Sequence, residues 1–240
     1  MRGRRTARRP RTVSGMARQV AGGGRAVEVP PERLDGWFAR FAERNHGVRT
    51  TVLAATHVQV TAENGTTATA TVPFGPLREQ GEYPGLAVEP LLRHVQTPRL
   101  IALLLVRKGG HSLGLAYDGR VVLSRTDRHH VQGRTAAGGW SQQRFARRRE
   151  DQTRAALRSA AQDAYEVLLP RLSEVDAVVL GGDRRALDGL RSDRRLAELF
   201  DRAEPRVLEI PEPGYEVLAE AAQRARAVHL VVRDRTPGPE

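Results

Sequence analysis

The sequence predicts an α/β fold, a mixed sheet with packed helices. Three observations carry that prediction: an apolar run from Leu100 to Val106, strand-like alternation on both sides of Asn64-Gly65, and a long two-faced helical pattern from Ser141 to about Leu172 followed by alternating strand and helix signals. At 240 residues, 40% hydrophobic and 28% charged, the chain can bury a sizeable core. It divides into a basic tail over 1–28 expected to be disordered, one domain over 29–235, and a short tail over 236–240.

The elements follow in order. Residues 1 to 25 hold eight arginines, no acid and Gly22-Gly23-Gly24, too little apolar surface to order themselves. This segment reads as an RNA-touching arm, a functionless extension, or the product of a start placed upstream of Met16. Pro31 opens a helix whose Leu34, Trp37, Phe38 and Phe41 recur at spacings of three and four, ending at Gly47. Threonine- and valine-rich stretches over 51–62 and 66–74 form a hairpin about Asn64-Gly65. A looser, proline-containing stretch leads to Leu100–Val106, which turns at Gly109-Gly110 into Ser112–Tyr117 and again at Asp118-Gly119 into Val121–Ser124. The first half is thus an antiparallel or mixed sheet. In the long helix, 100° steps place Phe145, Ala156, Leu157, Ala160, Ala164 and Leu168 on one face and Arg144, Arg147, Arg154 and Arg158 on the other. Ala177–Leu180, Val207–Ile210 and Val228–Val232 then alternate with helical segments near 184–200 and 214–226, an α/β layer.

Charge and composition narrow the function. The net charge is +11, but residues 26 to 240 carry only +3, and residues 120 to 158 alone hold ten arginines against Asp127, Glu150 and Asp151. Basicity concentrated this way points to a polyanion. The absence of cysteine excludes disulfides, thiolate zinc sites and cysteine nucleophiles, and suits the reducing cytoplasm. The longest apolar run falls far short of the roughly 20 residues a membrane-crossing helix needs.

The segment richest in chemistry is the loop Arg125 to Trp140 and the helix start beyond it, Gly138-Gly139-Trp140-Ser141-Gln142-Gln143-Arg144-Phe145-Ala146-Arg147-Arg148-Arg149. Paired glycines let backbone amides approach a substrate closely. Four arginines in the opening turns oppose the helix dipole, a cost that a phosphate backbone offsets. Glutamine has no useful basicity, but it can orient water and donate a hydrogen bond to developing charge.

This segment resembles the catalytic loop and following helix of the eukaryotic-type class-one release factors, with Trp140 standing where those carry the glutamine after the two glycines. The Gly139 to Gln142 arrangement, and the whole of Val131 to Gln142, is similar to the Vms-like release factors, in particular their actinobacterial-type branch. The resemblance implies a release-factor catalytic domain of ribonuclease H-like type over roughly residues 30 to 235. It also implies peptidyl-tRNA hydrolysis on stalled large ribosomal subunits, with Gln142, or Gln143 one register away, positioning the water beside Gly138 and Gly139. Arg134, Arg144, Arg147, Arg148 and Arg149 would hold acceptor-end phosphates or ribosomal RNA, with Ser141 alongside. Trp140 would stack on the terminal adenine or pin the loop to the protein. The expected partners are peptidyl-tRNA and the large subunit with its RNA, the expected state is a monomer, and no cofactor, metal or membrane is implied. The competing readings are a non-catalytic ribosome-rescue adaptor, a metal nuclease, and a hydrolase of unbound peptidyl-tRNA.

His129-His130 offers no third metal ligand at suitable spacing. Asp118, Asp127, Asp176 and Asp183 lie near strand ends, where a nuclease would gather magnesium-binding carboxylates. Gly181-Gly182 reads as a strand-to-helix connection, since no complete nucleotide-binding fingerprint surrounds it.

Overall fold

A strand that is apolar at every position needs cover on both faces, and one that alternates needs it on one; this difference sorts the chain into two sheets. The structure is a computed structural model that describes residues 18–19, 23–128 and 140–234, those from 140 to 149 as backbone. In chain order the elements are β1 (Arg18–Gln19), β2 (Arg25–Val29), α1 (Pro31–Arg44), β3 (Val48–Leu53), β4 (His57–Ala62), β5 (Thr67–Thr71), β6 (Gly81–Pro84) and α2 (Glu89–Gln96). Then come β7 (Leu100–Arg107), β8 (Gly110–Tyr117), β9 (Arg120–Arg128), α3 (Trp140–Val167), β10 (Ala177–Gly182), α4 (Arg184–Arg191), α5 (Ala197–Asp201), β11 (Ala203–Leu208), α6 (Tyr215–Arg226) and β12 (Val228–Arg233).

The mixed sheet has five strands in the order β11-β10-β7-β8-β9, with β10 and β11 parallel to β7 and β8 and β9 antiparallel in sequence beyond it. Taken in chain order that is 3-2-1-4-5, the ribonuclease H-like arrangement. The apolar run of β7 lies at its centre. Ala102, Leu104 and Val106 pack in one core with Ala160, Ala164 and Leu168 of α3. Ile101, Leu103 and Leu105 pack in the opposite core with Leu218, Ala221 and Ala222 of α6. From Leu157 to Leu168 the expected apolar face of α3 therefore does lie on the sheet, while the Phe145 side chain lies outside those described.

The six strands before β7, joined by β12, form a separate antiparallel sheet in the order β1-β2-β12-β5-β4-β3-β6. Its strands alternate, as in the buried Val58, Val60 and Ala62 of β4, and a single face is closed by Leu34 and Phe38 of α1 and Leu91 of α2. The single sheet expected for the first half thus separates into two. Val228–Val232, expected in the α/β layer, instead lies between β2 and β5 of this sheet. Its pattern explains the placement: Val228 and Leu230 are buried while His229 and Val231 are half-buried, the signature of a one-sided sheet. The expected tail also ends earlier than residue 28, because Arg25–Val29 is held by five residue pairs to β12. Ala26 and Val29 are buried there despite the arginine-rich sequence before them.

Charged residues join the two sheets. Glu28 on β2 meets Arg206 on β11 and Arg224 on α6, and Arg226 bridges Glu32 and Asp118. Burial alone would raise the Glu28 carboxyl, but Arg206 and Arg224 outweigh it and hold it below its ordinary value. A carboxyl held lower in the folded than in the unfolded chain contributes stability that is present above its unfolded value and is lost as pH falls through the folded one. Glu28→Gln is therefore expected to lower Tm at neutral pH but to lose less on acidification below 4.5 than wild type does. Thermal melts across that range check it.

Candidate active site

The most informative residues of the loop sit at the start of α3. Gly138, Gly139, Arg134 and His129-His130 lie outside the described residues. Trp140, Ser141, Gln142, Gln143, Arg144, Arg147, Arg148 and Arg149 form the first turns of α3, which runs unbroken from Trp140 to Val167 and has no acid in its first turn. The helix thus begins at the residue after the paired glycines. Ala156 is the first buried residue of α3 among those whose side chains are described. It lies fourteen positions beyond Gln142, about 21 Å at 1.5 Å per residue. On the helix's outer side Arg154 and Arg158 are exposed as expected, Arg154 lying 3.8 Å from Glu150 and 3.6 Å from Asp151.

The strand leading into the loop is longer than the sequence predicts. β9 continues past Ser124 to Arg128, paired throughout with β8, and Ser112 and Thr126 share a hydroxyl hydrogen bond of 2.7 Å across the pair. Polar strand residues that read as loop are retained because the neighbouring strand and helix satisfy them.

A polar network missed by the sequence reading fastens α3 at this place. His111, wholly buried on β8, hydrogen-bonds Asp163 of α3 through Nε2 at 2.8 Å. Arg125 of β9 donates to Asp163 at 2.9 Å and to Glu166 at 2.7 Å, while Ser159 donates to Asp127 at 3.0 Å. Gln162 donates to Glu166, and Arg195 donates to Gln162 while lying over the Tyr165 ring. Hydrogen bonds to Glu166 and Asp163 hold the Arg125 guanidinium above its ordinary value, and those from Gln162 and Arg125 hold the Glu166 carboxyl low. The network ties the end of β9 to α3, so the two elements flanking 129–139 are fixed relative to each other. Its signal in the sequence was His111-Ser112 inside an otherwise apolar strand, which needs polar partners on whatever covers it.

His111→Leu keeps most of the volume but leaves Asp163 without its buried donor, a loss worth about 1–3 kcal/mol. The expected result is a lower urea midpoint with an unchanged slope. Asp163→Asn, which retains an acceptor for His111, is expected to lose less.

The carboxylates considered for a nuclease centre have separate tasks. Asp118 sits in a turn at φ 48° and meets Arg226, Asp127 accepts from Ser159, Asp176 accepts from the Leu100 amide, and Asp183 caps α4 by accepting from the Arg185 amide. Among the described residues no group of three or more histidines and acids is placed to hold a metal ion. Gly182 has φ 111°, and a Cβ there would collide with the Val106 carbonyl, so close strand packing accounts for this glycine. No helix among the described residues is long and apolar enough to cross a membrane.

Comparison with known proteins places this arrangement among release factors. Peptide chain release factor subunit 1 of Pyrococcus abyssi is 26% identical over 152 residues, covering 61% of this chain and 37% of the relative. The protein of the same name from Thermococcus onnurineus is 30% identical over 96 residues, covering 39% of this chain and 23% of that one. The chain thus spans well under half the length of these relatives. The crystal structure of the archaeal translation termination factor aRF1 aligns with 70% of this chain and 51% of its own at 16% identity, with a TM-score of 0.41. The model of the Actinobacteria/chloroflexi VLRF1 release factor family matches residues 99–231, from the residue before β7 into β12. The chain belongs to that family.

Proposed function

We propose that this chain is a peptidyl-tRNA hydrolase that releases nascent peptides from tRNA on stalled large ribosomal subunits in the cytoplasm, acting as a monomer through residues 29–235. The observation that carries the reading is the family match over residues 99–231, which contains the entire Gly138 to Arg149 segment.

In the proposed reaction Gln142 orients a water molecule whose oxygen attacks the ester carbonyl carbon. The bond from that carbon to the ribose oxygen breaks and the peptide leaves as a carboxylate, one proton of the water ending on the ribose hydroxyl and the other passing to solvent. Backbone amides near Gly138 and Gly139 stabilise the oxyanion. The ester is activated, so positioning and a few aimed donors supply the required acceleration. Gln143 takes this role only if the helix start is displaced by one residue. Arg134, Arg144, Arg147, Arg148 and Arg149 hold phosphates without sequence preference, with Trp140 and Ser141 beside them. The test is incubation with peptidyl-tRNA on isolated large subunits, following peptide release for wild type and for Gln142→Ala and Gln143→Ala.

A further inference from the structure

The antiparallel sheet is incompletely covered by its helices. At the β2–β12 end, α1 stands off the strands and leaves a cavity of about 270 Å³. Its walls are Val27, Val232, Trp37 and Phe41, three of them only partly buried. Trp37 and Phe41, one turn apart on α1, lie nearly parallel, 9° between planes and 5.7 Å between centroids. Three arginines line the same cavity: Arg25 from β2 and Arg40 and Arg44 from α1. All three are exposed, and among the described residues none has a side-chain hydrogen bond or ion pair. Asp234 is the acid in the lining.

We infer that this slot binds a nucleotide of single-stranded RNA, the base lying against the Trp37–Phe41 wall and the flanking phosphates on Arg25, Arg40 and Arg44. The pairing of a flat apolar slot with unpaired guanidinium groups is what makes the ligand a nucleotide. Aromatic rings accept any base by stacking, and the arginines supply the charge that tracks the backbone. An acidic peptide would use the arginines and leave the aromatic wall idle, and a duplex keeps its bases out of reach. The larger cavity near Phe74 differs in that two of its three arginines are engaged: Arg93 with Glu79, and Arg99 with the His94 carbonyl and over the Phe74 ring. Every residue lining the slot lies outside 99–231, so the site adds an RNA contact beyond the portion that defines the family.

The protein has two tryptophans, so Trp140→Phe leaves Trp37 as the sole indole reporter in the full chain. Titration with a single-stranded uridine octamer is expected to quench Trp37 emission saturably, with a duplex of the same length and a glutamate-rich peptide having little effect. Anisotropy of the labelled octamer should show Arg40→Glu/Arg44→Glu weakening binding by at least about 10-fold and reducing the salt slope by about 1.4, at about 0.7 per phosphate contact. In otherwise wild-type protein, Trp37→Leu should weaken binding by about 5- to 150-fold, the range for one lost stacking contact. Three results would overturn the assignment: octamer binding without any change at Trp37, equal quenching by duplex or peptide, or unchanged affinity in the folded double variant. The readout is RNA binding rather than ester cleavage, so this site and the hydrolase reading can fail separately.

Discussion

Gln142→Ala is expected to slow single-turnover peptide release by about 100- to 1000-fold, the usual cost of removing one preorganised donor at a developing oxyanion. Binding of the ribosomal complex should be unchanged, because an amide that orients water contributes in the transition state and little in the ground state. Gln142→Glu separates two mechanisms. A general base would work at least as well as a carboxylate, whereas an amide acting as donor and water holder is lost when the side chain becomes acceptor-only at neutral pH. The proposed mechanism predicts that the glutamate variant is as impaired as alanine. Gln143→Ala is expected to remain near wild type. Gln142 and Gln143 lie in the first turn of α3, where alanine is at least as good a helix former as glutamine, so release can be compared at matched stability. Unchanged melting curves for all three variants would establish that.

Replacing Arg144, Arg147 and Arg148 together by glutamine is expected to act on affinity instead. At 100° per residue the three positions share 100° of arc on α3, the spacing that contact with one backbone track requires. Charge-assisted contacts to phosphate are individually strong, and losing three should weaken binding to large subunits carrying peptidyl-tRNA by at least about 100-fold. The salt dependence of binding should fall by about 0.7 to 0.9 in slope for each contact removed. Release at saturating enzyme should persist. Stability should change little, because the three arginines stand beyond the first turn of α3, where the helix dipole acts. A variant that binds RNA worse and melts at the wild-type temperature would identify these arginines as functional rather than structural.

Much of this architecture was legible because periodicity reports burial directly. The apolar run of β7 indicated a strand covered on both faces, and Ala156, Ala160, Ala164 and Leu168 marked the side of α3 that packs on it. The Asn64-Gly65 turn fixed the β4–β5 hairpin. Partnership between distant segments was less legible. Nothing local in Val228–Arg233 states that it will pair with Arg25–Val29 at the other end of the chain, although its alternation contains the clue. Arginine-rich composition hid β2, since two buried side chains and a ladder of backbone bonds suffice to hold a five-residue strand. The helix α2 was obscured by its eight-residue length and by Pro90 in its first turn.

The candidate site divides in the same way. Its chemistry-bearing residues are adjacent in sequence, so Gly138 to Arg149 stood out as a block. Its support is assembled from His111, Arg125, Asp163 and Glu166, brought together by the β8–β9 hairpin and α3. Polar residues scattered over 55 positions give no periodic signal, and only the demand of a buried histidine for a partner pointed to them. The Trp37 slot was equally hidden, because Trp37 satisfies the helical apolar spacing and reads as core until the strands beside it are seen to leave it half uncovered.

In the proposed reaction the bond broken is the ester between peptide and tRNA. The most direct measurement is single-turnover reaction with end-labelled peptidyl-tRNA on isolated large subunits, in ¹⁸O-enriched water, with and without magnesium chelation after binding. The expected products are a peptide carboxylate carrying one ¹⁸O atom and full-length tRNA with an intact terminal ribose on a denaturing gel, both lost in Gln142→Ala. Shortened tRNA with the peptide still attached to its terminal fragment, or peptide release undiminished when both Gln142 and Gln143 are alanine, would contradict the proposed reaction.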